Sequence, residues 1–438
     1  MTDVILRRAP RVAESGVLRT LRVVPAPVRL ILASMVAFNI GFYLVVPFLA
    51  VHLSQNLALA GWAVGLVLGL RTFSQQGLFL LGGSLADRFG VRPVVLVGIL
   101  VRIGGFVLLG LAEQLWSVIV AVLLVGVAAA LFAPAVESAN AAYGHRLETA
   151  GVLRRTELFA LEQMCSRLGS VLGPALGSLL LVVPFRWTAV GAAGLFALLW
   201  VAFFRLLPAD ANTGTGTGAT TEVSAVAPTL RVIWTTVLRN RAFLVFTVLC
   251  AAQLVAYNQL YLMLPEQLER VVGGQGALGW FFTGAALLVI GGQRGVVAVA
   301  NRIGHRVAIV GGLGLISASF LIPPLLTGSA ALGLLGLAIW VTVLHLGQML
   351  MVPPMRDVIG RLAGERLLGA HFGMLNTLGG LLTLAGSLLV GALYDGVDTG
   401  AVGPGVPWWV LAVTVAVAAG TLAWWSRGGR LSPAPTCG

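Results

Sequence analysis

The sequence predicts an all-α polytopic membrane protein with twelve transmembrane helices in two parallel-repeat six-helix bundles. Three observations predict it. Of its 438 residues 58% are hydrophobic and only 10% charged, with a mean hydropathy of +0.96, far too apolar for a water-facing surface. Twelve apolar runs are long enough to span a bilayer, which takes about 20 mainly apolar residues each. The segment Ala86-Asp87-Arg88-Phe89-Gly90-Val91-Arg92 returns 214 residues later as Ala300-Asn301-Arg302-Ile303-Gly304-His305-Arg306, with four identities in seven. A parallel repeat of six-helix halves with the substrate site between them is an established transporter plan.

Taken in order, residues 1–27 carry Arg7, Arg8, Arg11, Arg19 and Arg22 ahead of the first apolar run, which reads as a retained cytoplasmic tail and not a cleaved signal. Residues 28–207 form the first bundle, with runs starting near Val28, Ala60, Pro93, Leu115, Thr156 and Phe185. These are helices and not barrel strands, which alternate over about ten residues. Residues 208–240 form a linker that opens on the polar repeat Thr213 to Gly218, a composition that cannot bury a core. Its second part, with Leu230, Ile233, Trp234, Val237 and Leu238 beside Arg231 and Arg239, reads as an amphipathic helix on an anionic leaflet. The second bundle covers residues 241–426, with runs near Arg241, Gly274, His305, Ser329, Leu368 and Val406, and residues 427–438 close the chain as a second tail.

All 28 basic residues are arginine, giving a net charge of +12. In a soluble protein this would suggest nucleic acid as a partner, but in a polytopic one it reports topology. With both termini in the cytoplasm, only Arg186 and Arg270 fall outside, and Arg71, Arg102, Arg167 and Arg294 fall within spans. The expected setting is the plasma (inner) membrane, with lipids, protons and a small-molecule substrate as partners, no nucleic acid, no cofactor, and a monomeric state. Cys165, Cys250 and Cys437 form no CxxC pair, and the five histidines have no metal-ligand spacing. There is no HExxH and no GxxxxGK[ST] sequence, so neither a zinc enzyme nor a nucleotide-driven pump is indicated.

In the connection after the second run, Gly83 and Gly90 permit close approach and a tight turn, and Asp87, Arg88 and Arg92 can pair with charges and helix ends of the facing half. Asn301 in the second copy lacks the charge of Asp87, so the two halves are not equivalent in gating. This stretch, Gly83 to Arg92, closely resembles the signature between the second and third helices of the major facilitator superfamily. In the fifth run, Gly169, Gly173, Pro174 and Gly177 resemble the antiporter signature of proton-coupled exporters of that superfamily. Three glycines at i, i+4 and i+8 make a flat face for a neighbour and Pro174 bends the span; ordinary small-residue packing is the alternative. The run Leu68 to Gly77 is similar to multidrug members of the drug:proton antiporter branch. The resemblance implies export of small amphipathic molecules in exchange for protons. One departure is Val122, four residues before Gly126, where many antiporters of the branch carry an arginine, so proton transfer must use other groups.

Ionisable residues inside spans are costly and are functional candidates by default. Glu162 is the first choice for the proton-coupled acid, Glu137 the second and Asp87 the coupled latch; a structural ion pair is the alternative for Glu162. A carboxylate moved between water and a dry interior changes its proton affinity, which is the chemistry of antiport. Arg71, Arg102 and Arg167 are the intramembrane cations, and Arg167, five residues after Glu162, is off the spacing of a same-face pair. Polar and aromatic residues at mid-span give broad contact with a few hydrogen bonds: Asn39, Tyr43, Gln253, Tyr257, Asn258 and Tyr261 are the expected substrate cavity. His345, Gln348, Met349, Met351 and Asn376 are weaker additions and read first as packing residues. A proton-coupled importer or a facilitator would share the fold and the first signature.

Overall fold

The computed structural model describes residues 24–153, 155–180, 183–207, 230–326, 328–363 and 368–428; within these, the side chains of 80, 81, 83, 84, 87, 138, 141, 155, 156, 230–234, 368, 369 and 428 lie outside the description. The Thr213–Gly218 repeat, most of both tails, and the side chains of Asp87, Leu230, Ile233 and Trp234 therefore fall outside the described residues.

Fourteen helices make up the described fold: α1 Ala26–Val51, α2 Gly61–Gly77, α3 Phe79–Phe89, α4 Val91–Leu111, α5 Leu115–Thr149, α6 Arg155–Leu179, α7 Phe185–Leu206, α8 Leu230–Arg239, α9 Arg241–Val272, α10 Leu278–Ile303, α11 His305–Ser319, α12 Ala330–Leu362, α13 Leu368–Asp398 and α14 Val406–Trp425. Their bulky outward side chains, such as Leu198, Val413, Val417 and Trp424, are more than half exposed, as lipid-facing positions are when lipid is the solvent.

Ten of these helices are long and apolar enough to cross a membrane, and two of the twelve expected spans differ for physical reasons. The second is divided at Leu78 into α2, of 17 residues, and α3, of 11. The fifth, α6, has 25 residues but carries Glu157, Glu162, Gln163, Ser166, Arg167 and Ser170, which lower its hydropathy. Both pack at the seams between the two groups, α2 on α13 and α6 on α10, with α6 also on α1, while Met164, Leu168, Leu172 and Leu176 leave one face of α6 exposed. Counting α2–α3 and α6 as crossings gives the twelve positions.

Helices α1 to α7 pack among themselves, α4 against α5 and α7, and α6 against α1; α9 to α14 do the same, α11 against α12 and α14, and α9 against α13. Aromatic rings fill each group: Phe38 stacks on Phe132 and Phe106 on Phe196 in the first, and Trp340 meets Trp408 edge-on at 4.9 Å in the second. The two groups meet along two seams, α2 on α13 and α6 on α10, with α1 also touching α9.

Glycines set the first seam. A Cβ on Gly61 would come within 2.5 Å of the Gly391 carbonyl oxygen, and one on Gly69 within 2.8 Å of Leu384 Cα. In the second seam Gly279 on α10 leaves no room for a Cβ against Pro174 and Ser178 of α6. Backbone therefore meets backbone at Gly61 and Gly279, where α2 and α10 begin, and the α2–α13 approach continues through Gly69 to Phe73, which lies against Gly380.

The repeat seen in the sequence is a repeat of backbone. Gly90 lies at φ 90°, ψ 159° between α3 and α4, and Gly304 at φ 81°, ψ 158° between α10 and α11. The Gly83–Arg92 segment is thus helix up to Phe89 with a one-residue turn at Gly90, and not an extended loop.

Candidate functional site

Between the two groups lies a cavity of about 380 Å³, walled by α1, α2, α4, α5, α6 and α9, within the usual range for small-molecule sites. Of the six residues expected there, Asn39, Tyr43, Tyr257, Asn258 and Tyr261 line it. Gln253 does not: its backbone carbonyl accepts Gln348 Nε2 at 3.0 Å, which ties α9 to α12. The lining also includes Phe38, Phe42, Thr72, Gln75 and Gln76, which sequence reasoning passed over. Arg71, Thr72, Gln75 and Gln76 recur along one stripe of α2, and that polar stripe in an apolar run was the available signal.

Polar bonds cross the cavity's floor. Thr72 Oγ1 donates to Asn258 Oδ1 at 2.8 Å, and Asn258 Nδ2 donates to Ser387 Oγ at 2.9 Å, so α2, α9 and α13 share one network. Asn39 Nδ2 donates to Ser166 Oγ at 3.1 Å and to the Met35 carbonyl at 2.8 Å, fixing α1 against α6. Phe42, Tyr43, Tyr257, Tyr261 and Phe282 form a chain of rings, with Tyr261 and Phe282 stacked at 5.3 Å.

Both candidate acids line the same cavity. Glu162 is buried and accepts a hydrogen bond from Asn140 Nδ2 on α5. Glu137, one turn before Asn140, is exposed, and the charge of Arg356 on α12 acts on it from the other group. The exposed Glu137 marks the cavity's mouth, at the end of the bundle that carries the Gly90 and Gly304 turns. Arg167 does not pair with Glu162; it lines a second cavity of about 220 Å³ with Gln163, Ser170, Phe282 and His345, which shares Asn39, Tyr43 and Tyr257 with the first. His345 hydrogen-bonds the Val341 carbonyl at 2.7 Å, while Met349 and Met351 are buried.

Gly169, Gly173 and Gly177 face α1, where a Cβ on Gly169 would stand 2.5 Å from the Val36 carbonyl oxygen and one on Gly173 2.7 Å from Tyr43 Cβ. The glycine face thereby sets how closely the Asn39 and Tyr43 helix lies against α6. Pro174 in the same helix sits opposite Gly279.

The terminal arginines of the repeat correct an expectation. Arg92 was expected to bind the facing half; instead its Nη2 donates to the Phe204 carbonyl at 2.7 Å, at the end of α7 in its own group. Arg306 does the same at the end of α14, donating to the Ala423 carbonyl at 3.0 Å and to Ser426 Oγ at 2.9 Å. Cations at helix C-termini complement exposed carbonyls and the helix dipole. Arg88 is exposed over the Phe89 ring, while Gly83 and Asp87 lie outside the described side chains. Among the described residues no group of three His, Cys, Asp or Glu could hold a metal ion.

The sequence profile of the Major Facilitator Superfamily matches residues 31–387. The chain belongs to this superfamily. Major facilitator proteins similar to it include the uncharacterized MFS-type transporter Rv0849 of Mycobacterium tuberculosis H37Rv, 36% identical over 380 residues that cover 84% of this chain and 86% of the relative. The multidrug resistance protein MdtH of Escherichia coli K12 is 29% identical over 85% of this chain and 88% of its own length. Among solved structures, a mutant of the nucleoside transporter NupG superposes with a TM-score of 0.72 at 13% identity, covering 93% of this chain and all of NupG. The POT family transporter PepTSo gives 0.72 at 15% identity, over 94% and 99% of the two chains. These two likenesses show the fold. The chain is therefore a membrane transporter of small molecules and not an enzyme.

Proposed function

We propose that this major facilitator protein exports small amphipathic molecules, a drug or a secondary metabolite, in exchange for protons by alternating access. The observation that carries the reading is one cavity that holds both a buried, hydrogen-bonded Glu162 and an aromatic, amide-lined pocket, with its mouth at Glu137 and its far end closed by glycine seams. An acid in the same chamber as the substrate makes the two compete for, or alternate in, one solvent-reachable space. Rocking of the bundles then moves Glu162 between the two aqueous sides. Similarity to MdtH, named for multidrug resistance, and the Gly169–Gly177 signature support export over import.

In this reading the chain is a monomer in the plasma (inner) membrane with both termini cytoplasmic. The bundles span 28–207 and 241–426, joined by a linker over 208–240 with α8 on the membrane surface. The Gly90 and Gly304 turns then face the cytoplasm, and the cavity is open inward. Asp87 is the charged member of the latch beside the first turn.

The test is uptake into inverted vesicles containing the full chain, across a panel of amphipathic dyes, with and without a proton uncoupler. Uncoupler-sensitive movement that disappears when Glu162 and Glu137 are both changed to Gln is the expected result. Movement that persists unchanged in that double variant would remove both acids from the mechanism.

A further inference from the structure

Arg71 on α2 and Arg102 on α4 both line the central cavity and are only 6% and 4% exposed. Among the described residues neither has an Asp or Glu oxygen within 4 Å. The four ion pairs there are Arg270 with Glu266, Arg270 with Asp398, His305 with Asp357 and Arg361 with Asp357. Arg71 Nη2 donates to Gln75 Oε1 at 2.7 Å, while its Nε and the Nε of Arg102 are buried with no hydrogen-bond partner. Aromatic faces hold both guanidinium groups: Phe42 lies 4.6 Å from Arg71, and Phe38 and Phe196 each lie 4.8 Å from Arg102.

A buried unpaired cation is costly, and ring faces offset only part of that cost. Here two such cations stand in one chamber, and among the described residues neither cavity glutamate forms an ion pair with either of them. Glu162 is engaged by Asn140 and Glu137 lies at the mouth, next to the field of Arg356. Only Glu137 is exposed, at the mouth; Glu162, held by Asn140, and both arginines are buried in the cavity wall.

We propose that Arg71 and Arg102 form the recognition site for an anionic substrate group, a carboxylate on an aromatic body. The guanidinium groups bind the carboxylate while the Phe42, Tyr43, Tyr257 and Tyr261 rings hold the body. Guanidinium groups match carboxylate geometry and form charge-assisted bonds, and a carboxylate would supply the acceptors that both Nε groups lack. This assignment deepens the export reading and rests on it for direction. Outward movement of an anion and inward movement of a proton both carry charge the way an inside-negative potential drives it.

The test uses the full chain purified in detergent and three probes on one naphthalene body: 1-naphthoate, its isostere 1-naphthamide, and the cation 1-naphthylmethylammonium. Binding of naphthoate about tenfold or more tighter than of either other probe is expected, with that preference lost in Arg71→Gln and Arg102→Gln. An arginine that served packing alone would lower thermal stability on substitution and leave the ratio of naphthoate to naphthamide affinity unchanged, which overturns the proposal. So does preference of the wild-type chain for the amine or the amide, a result that needs no variant to fold. Proton exchange is read separately, in liposomes with a trapped pH dye. Proton-coupled movement of cationic dyes without naphthoate binding would overturn the anion site and leave the export reading standing. Naphthoate binding without any proton exchange would uphold the site and overturn the exchange.

Discussion

Asp395, near the end of α13, accepts the backbone N–H groups of Gly61 at 2.6 Å and Trp62 at 2.9 Å, and so caps the first turn of α2 from the opposite six-helix group. The cap position of α2 is Ala60, which has no side-chain acceptor of its own, and a carboxylate at a helix N-terminus answers both the free N–H groups and the dipole. The cap exists only while α2 and α13 are together, so it favours the closed end. Asp395→Ala should cost the closed arrangement about 1 kcal/mol, which is about fivefold in population. A cysteine introduced as Val64→Cys, at a buried position on the small cavity that it shares with Gly61 and Asp395, should then be alkylated severalfold faster in a background without the native cysteines. An unchanged rate would mean that the cap does not bias closure.

The glycine seams lead to a second expectation. Gly391→Ala or Gly279→Ala would place a Cβ inside the van der Waals envelope of Gly61 or Pro174, and overpacking of this kind costs about 1–3 kcal/mol. Because the clash exists only in the closed arrangement, transport should fall about tenfold while the purified protein remains folded. Gly191→Ala and Gly284→Ala, where an added methyl meets nothing within 4 Å, should keep full transport. Equal activity across all four variants would mean that the seams do not open and close in the cycle.

Much of this fold is legible because lipid leaves the chain few options. The run expected from Thr156 begins at Arg155, and those expected from Leu115, Phe185 and His305 begin there; the latest start relative to expectation is α10, at Leu278 against Gly274. The division of the second span at Leu78 was not legible, since nothing in Leu78-Phe79 breaks a helix. Side-chain direction was the weaker inference within the site. Gln253 and Tyr257 share α9 one turn apart, yet the backbone of Gln253 is engaged by Gln348 and only Tyr257 reaches the cavity. Asp395 could not be paired with Gly61 from sequence, because the bond joins positions 334 residues apart and depends on how the halves dock. The buried arginines were legible as costly groups, but their aromatic surroundings and lack of acids are properties of packing.

Arg92 and Arg306 provide a test of whether the repeated motif gates or braces. Each binds the carbonyl end of the sixth span of its own group, so neither bond needs to break when the groups move relative to each other. Arg92→Ala and Arg306→Ala should each cost about 1–2 kcal/mol of stability, read as a lower thermal midpoint in detergent. Initial transport rates per folded molecule should remain within about twofold. Loss of rate without loss of stability in Arg92→Ala would return this residue to a gating role.

Gly90 and Gly304 occupy a backbone region that is essentially closed to residues with a Cβ, at φ 90° and 81° with ψ near 160°. At Gly304 an added methyl meets no atom within 4 Å, so the cost of Gly304→Ala is conformational alone, about 1–3 kcal/mol. Gly314→Ala is the matched control: it lies in α11, its surroundings are equally open, and alanine in a helix interior gains about 0.5–1 kcal/mol over glycine. The expected order of thermal midpoints is therefore Gly304→Ala below wild type and Gly314→Ala at or above it. The turn sets the direction in which α11 leaves α10 toward α12 and α14, so Gly304→Ala should also loosen the bond from Arg306 to Ala423, measurable as faster amide exchange at the end of α14. If Gly304→Ala is as stable as Gly314→Ala, the left-handed turn is not what reverses the chain there, and the matching geometry at Gly90 loses its explanation as well.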